Sequence, residues 1–160
     1  MAELHSAVDR LNASGAPSEA LATVHTPRRL LFVQREPRLL PSGRVWHLGV
    51  FLLAPDATLY EVGTTTRAVE PGRPNYQSIS GENRRAQRAA ALRGGFAPGE
   101  VVNFDAKPII LDIEALRSSS GRLFVSDGRL LVRWRAGADA ASAREFSDYL
   151  RERLELLIGQ

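Results

Sequence analysis

The chain has 160 residues, with 21 basic side chains against 18 acidic ones and a formal net charge of +3. That length suits one domain with its own core, and so small a charge excess does not announce a nucleic-acid binder, which concentrates its charge on one face. There is no cysteine, which excludes disulfides, cysteine nucleophiles and thiolate metal sites.

Lys107 is the only lysine, so the basic character is carried by arginine. Arginine stays charged above pH 12, which by itself lifts the isoelectric point to about 9.9. The N-terminal residues mix Glu3, His5, Asp9 and Arg10 into an apolar pattern, unlike a secretory signal. The longest apolar run, 48–55, is far shorter than the roughly 20 residues of a membrane span. The expectation is a cytoplasmic protein without a membrane segment.

In chain order, Leu4, Val8 and Leu11 place one apolar stripe on a short helix over 2–12, stopped near Gly15. Pro17 at a first-turn position predicts a further helical turn or two through Val24. The run 29–34 predicts a strand, and Pro37, Pro41, Ser42 and Gly43 predict a connection. The stretch 45–53 then predicts a long apolar strand, joined through 54–57 to a second β-rich run over 58–69 as an antiparallel hairpin. Residues 70–78 lose periodicity and read as a loop. Ser80 reads as the N-cap of a helix that reaches about Arg93 and closes at Gly94 and Gly95.

A strand over 101–111 is interrupted by Pro108, which suits an edge. Residues 117–121 form a serine-rich loop. Asp127-Gly128 between apolar runs predicts a hairpin over 123–132, because both turn residues need positive φ. The segment 139–158 predicts an amphipathic helix burying Phe146, Leu150, Leu154, Leu157 and Ile158. There is no regular βαβ alternation. The expected fold is a single α+β domain over 1–160, its antiparallel sheet packed by N-terminal, central and C-terminal helices.

The sequence contains no phosphate-loop, dinucleotide-binding or zinc-protease signature, no G-x-S-x-G and no S-x-x-K. His5, His25 and His47 are some twenty residues apart, not at metal-ligand spacing. No metal and no cofactor is implied. His47, on the central strand, is the candidate base for any hydrolytic chemistry. The richer region is the 70–78 loop with the helix after it. Arg84, Arg85 and Arg88 fall within about 100° of one another on a helix, with Ala86, Ala89 and Ala90 expected on the opposite, sheet-facing side. Arginine suits planar, bidentate recognition of carboxylate or phosphate. Arg67, Arg73, Asn75 and Tyr76 add charge, amide and phenol groups in and before the loop. These seven residues form the candidate site for a small anionic molecule, with Tyr76 covering the ligand.

The strings Trp46-His47-Leu48-Gly49-Val50, Thr66-Arg67-Ala68-Val69, 73–78 and 89–96 resemble a family of short bacterial proteins often labelled glutaminase. The resemblance covers most of the chain after residue 25. It implies no residue to carry over. Serine-dependent glutaminases use a serine–lysine pair and amidotransferase-type ones a cysteine, and this chain has neither S-x-x-K nor cysteine.

Three readings follow. One is a domain that binds a small anionic ligand through the arginine-rich loop and helix. A second is an amide hydrolase using His47 with Thr65 or Ser78. The third is a homodimeric interaction module built on the C-terminal helix or an edge strand. No aromatic interleaving of the basic residues points to nucleic acid.

Overall fold

A computed structural model describes residues 2–27, 36–71, 79–135 and 138–159. In chain order its elements are α1 (Ala2–Ser14), β1 (Glu19–His25), β2 (Arg38–Leu48), β3 (Phe51–Leu53), β4 (Leu59–Glu61), β5 (Thr64–Arg67) and α2 (Ile79–Arg93). They continue with β6 (Val101–Phe104), β7 (Lys107–Pro108), α3 (Ile113–Arg117), β8 (Leu123–Ser126), β9 (Arg129–Val132), a 3-10 turn at Ala140–Ser142, β10 (Arg144–Glu145) and α4 (Phe146–Ile158). The fold class is α+β. Among the described residues the strand pairs are antiparallel except β1 with β6, which run parallel. No helix among the described residues is long and apolar enough to cross a membrane.

Internal contacts divide the chain into two compact units. One comprises Met1–Ser18, Trp46–Val62 and Lys107–Gln160, and the other Glu19–Val45 and Gly63–Ala106.

The first unit is built around a sharp reversal. The stretch 45–53, expected as one strand, folds back at Gly49 so that Leu48 pairs with Phe51. Gly49 has φ 72°, a value that glycine adopts without a steric penalty. The buried Tyr149 of α4 fastens this turn: its Oη donates to Leu48 O at 2.7 Å and accepts from Val50 N at 2.8 Å. A Cβ on Gly49 would run into that Oη. Phe51 packs edge-on against Phe146 and Tyr149, with ring centroids 6.1 and 5.7 Å apart. Leu4, Val8 and Leu11 of α1 and Leu150 and Leu154 of α4 complete the core, as their 3–4 residue spacing requires. Leu157 packs partly against it, whereas Ile158 is exposed.

The Asp127-Gly128 hairpin forms as its local chemistry dictates, with φ of 50° and 72° at the two turn residues. The C-terminal helix starts later than expected, at Phe146. Its N-cap Glu145 is extended and belongs to β10, which pairs with β9. Asp112 caps the short α3, its Oδ1 accepting from the backbone N–H groups of Glu114 and Ala115.

The second unit has strand order β5-β6-β1-β2, with α2 packed beside β5. The helical turns expected over 17–24 are instead strand β1. Ala20 and Ala22 alternate into the core while the chain pairs with both β2 and β6, and ladder bonds on two sides outweigh a weak helical preference. Pro41, Ser42 and Gly43 are not a connection but lie inside β2. The register steps from Leu21↔Gly43 to Ala22↔Pro41, leaving Ser42 as an irregularity that a strand proline tolerates. The run 58–69 is interrupted after Glu61, and β5 pairs with β6 rather than continuing β4. The run 101–111 likewise breaks at Asp105, where φ is 55°. The strand expected over 29–34 lies outside the described residues.

Alanines dominate this second core. Ala20, Ala22, Ala68, Ala90 and Ala91 are buried with Leu39, Phe96, Val102 and Phe104. Short side chains let α2 lie close, and at its end a Cβ on Gly94 would collide with the carbonyl of Leu39. Of the three alanines expected toward the sheet, Ala90 is buried, Ala89 half-buried and Ala86 exposed. The buried face is turned toward Ala90 and Ala91.

Candidate functional site

The rotation of α2 decides where its arginines go. Residues four apart on a helix share a side, whereas a one-residue step turns about 100°. Arg84 and Arg88 therefore fall together on the side next to β5, and Arg85 is carried round to the other flank.

Next to β5 they line an open groove of about 250 Å³ with Thr65, Thr66, Arg67, Gln87 and Val101. Its floor is the β5–β6 pair, in which Thr65 stands opposite Asn103, Thr66 opposite Val102 and Arg67 opposite Val101. Arg67 is held in place by its Nη1, which donates to Gly99 O at 2.8 Å. The same corner is braced by backbone bonds from Ala68 N to Glu100 O and from Gly99 N to Ala68 O.

Asn103 is the buried polar residue of this unit among the described residues, and its amide is satisfied on both sides. Thr65 Oγ1 donates to Asn103 Oδ1 at 2.8 Å, and Asn103 Nδ2 donates to Glu19 Oε2 at 2.6 Å. A buried amide needs such partners to offset its lost hydration. Thr65 thus spends its hydroxyl proton on the sheet.

No carboxylate lines this groove among the described residues. Glu100, next in the chain to Val101, is committed elsewhere: its Oε1 lies 2.6 Å from Arg44 Nη1 and its Oε2 accepts from Ala97 N at 3.0 Å. The side chains of Arg84 and Arg88 make no ion pair or hydrogen bond among the described residues.

The opposite flank of α2 differs. A larger open groove of about 530 Å³ is lined there by Glu36, Pro37, Pro71, Glu82, Arg85, Ala86, Ala89 and Arg93. Two acids face two arginines. Arg93 Nη1 lies 2.6 Å from Glu36 Oε2, and Arg93 Nη2 donates to Pro37 O at 3.0 Å.

Of the seven residues expected to bind an anion, the structure brings together Arg67, Arg84 and Arg88. Arg85 is placed on the other flank. Arg73, Asn75 and Tyr76 lie outside the described residues. Sequence reasoning missed Gln87, Thr66 and Val101. Gln87 is three residues from Arg84, a helical spacing that would have found it once the sheet-facing side was known. The two strand residues depend on a pairing between β5 and β6 that no local pattern displays.

His47 belongs to the first unit. Its Nε2 lies 3.0 Å from the carbonyl of Gly49, within its own turn. Among the described residues there is no group of three or more His, Cys, Asp or Glu side chains placed to hold a metal ion.

Comparison of the chain with protein-family models, curated proteins and solved structures found no match.

Proposed function

We propose that the protein binds a small anionic molecule in the groove between β5 and α2, with Arg67, Arg84 and Arg88 as the charged contacts. One observation carries this reading: three arginines line a single groove that, among the described residues, has no carboxylate. Hydrogen bonds from charged donors to an anion contribute about 1.5–3 kcal/mol each, more than neutral ones. Arg67 is oriented before any ligand arrives, because its Nη1 is fixed on Gly99 O. Such preorganisation lowers the entropic cost of binding. Thr66 and Gln87 supply neutral hydrogen-bonding groups at the same groove.

The test is a thermal-shift screen of phosphate, sugar phosphates, glutamate and nucleotides against the native chain and an Arg84→Gln/Arg88→Gln variant. Both arginines are exposed, so the variant should keep its unliganded melting temperature. A ligand at a hundred times its dissociation constant stabilises by about 2.7 kcal/mol, and that gain should be lost in the variant. A gain of equal size in both proteins would refute the assignment.

A further inference from the structure

We propose that the β5–α2 groove takes the dianionic head of a small phosphomonoester, with its organic part outside the groove. This rests on the anion-binding reading above and names the ligand class.

The number of cations points to phosphate over carboxylate. A carboxylate has two oxygens, and one guanidinium fork engages both. Arg67, Arg84 and Arg88 offer three forks at one groove, so a lone carboxylate leaves two of them uncompensated. A phosphomonoester presents three terminal oxygens, one for each guanidinium, and carries about −1.5 to −2 charge at pH 7, which offsets more of the three positive charges than a carboxylate does. The remaining polar groups fit the same ligand. The Thr66 hydroxyl and the Gln87 amide can donate to phosphoryl oxygens, while Thr65 donates to Asn103.

Size and lining favour a small head. A groove of about 250 Å³ is below the roughly 300–1,000 Å³ that encloses a drug-sized ligand. Its one apolar lining residue is Val101, and no aromatic ring lines it among the described residues. A nucleobase would find no aromatic ring to stack on among the described residues there.

Titration calorimetry with phenyl phosphate and with glutarate, from pH 5 to pH 8, tests this. Arginine as a side-chain type keeps its charge across this range, no histidine or carboxylate lines the groove among the described residues, and Glu100 is bonded to Arg44. The ligand itself therefore sets the pH dependence. With a second phosphate pKa of about 6, the dianion fraction and the apparent affinity for phenyl phosphate should rise about tenfold from pH 5 to pH 7 and then level off. Glutarate carries a comparable charge on two separate carboxylates joined by a flexible chain, so it must be ordered on binding and should bind more weakly. If phenyl phosphate binds without that rise, or glutarate binds as tightly, the phosphomonoester class is wrong while the anion site stands. If neither probe binds, or Arg84→Gln/Arg88→Gln binds phenyl phosphate as well as the native chain does, the anion site falls too. The native-chain pH series decides the class even if the variant fails to fold.

Discussion

The two flanks of α2 carry similar cations and differ in what faces them. Beside β5, Arg84 and Arg88 join Arg67 in a groove without an acid among the described residues. On the other flank, Arg85 and Arg93 face Glu36 and Glu82, and Arg93 is already paired with Glu36. An arginine paired within the protein has spent its charge. An arginine among arginines, threonines and a glutamine keeps its charge available for an external anion. Counting arginines therefore says little; counting the acids beside them separates a structural ion pair from a candidate site.

The largest effect should come from making the first flank resemble the second. Arg84→Glu with Arg88→Glu places two acids in the groove. The roughly 2.7 kcal/mol of stabilisation from saturating ligand should disappear from the unfolding curve. If it persists, the distinction between the flanks has no functional meaning.

A change in the other unit should do the reverse. Tyr149→Phe removes both bonds that fasten the Gly49 turn and leaves the buried Leu48 carbonyl and Val50 amide without that partner. Leaving buried polar groups unsatisfied costs about 1–3 kcal/mol, measurable by urea denaturation. The ligand-induced shift should survive this loss.

Glu36→Gln with Glu82→Gln sharpens the comparison from the opposite direction by removing the two acids beside Arg85 and Arg93, the ion-pair partner of Arg93 included. Calorimetry should then detect a second anion site. It should be about tenfold or more weaker than the first, since it has one guanidinium fewer and a charge-assisted bond contributes about 1.5–3 kcal/mol. An unchanged stoichiometry would mean that the glutamates are not what silences that flank.

The smallest effect concerns acid stability. The backbone N–H of Thr58 donates to Asp56 Oδ1 at 2.9 Å and, with the Thr58 hydroxyl, holds the Asp56 carboxyl below its ordinary value of 3.8. A depressed carboxyl pKa stabilises the folded chain above the unfolded value, and that contribution is lost as pH falls through the folded one. Asp56→Asn should slightly flatten the acid limb of the stability curve below about pH 4, with ligand binding unchanged. An acid limb identical to that of the native chain would remove Asp56 from the account.

What could be read in the sequence was what is local. The Asp127-Gly128 turn and the apolar stripes of α1 and α4 rest on spacing within a few residues, and each formed. The arginine spacing on α2 was equally visible. Which flank each arginine faces was not, because that depends on the packing of the helix against β5. The 17–24 segment carries a proline start that suits a helix, yet pairing with β2 and β6 makes it a strand. Pro41 and Gly43 read as punctuation, although a register irregularity absorbs them inside β2. The 45–53 run showed an apolar strand but not its reversal at Gly49, which depends on Tyr149 one hundred residues later in the chain.

The most direct measurement of the central claim is a nuclear magnetic resonance titration of the 15N-labelled chain with inorganic phosphate, following backbone amides and arginine Nε–Hε signals. The account predicts saturable shifts at Thr65, Thr66, Arg67 and Gln87 and at the side chains of Arg84 and Arg88, with Arg85 and Arg93 unmoved. Shifts centred on Arg85 and Arg93, or small non-saturating shifts at every arginine alike, would contradict it.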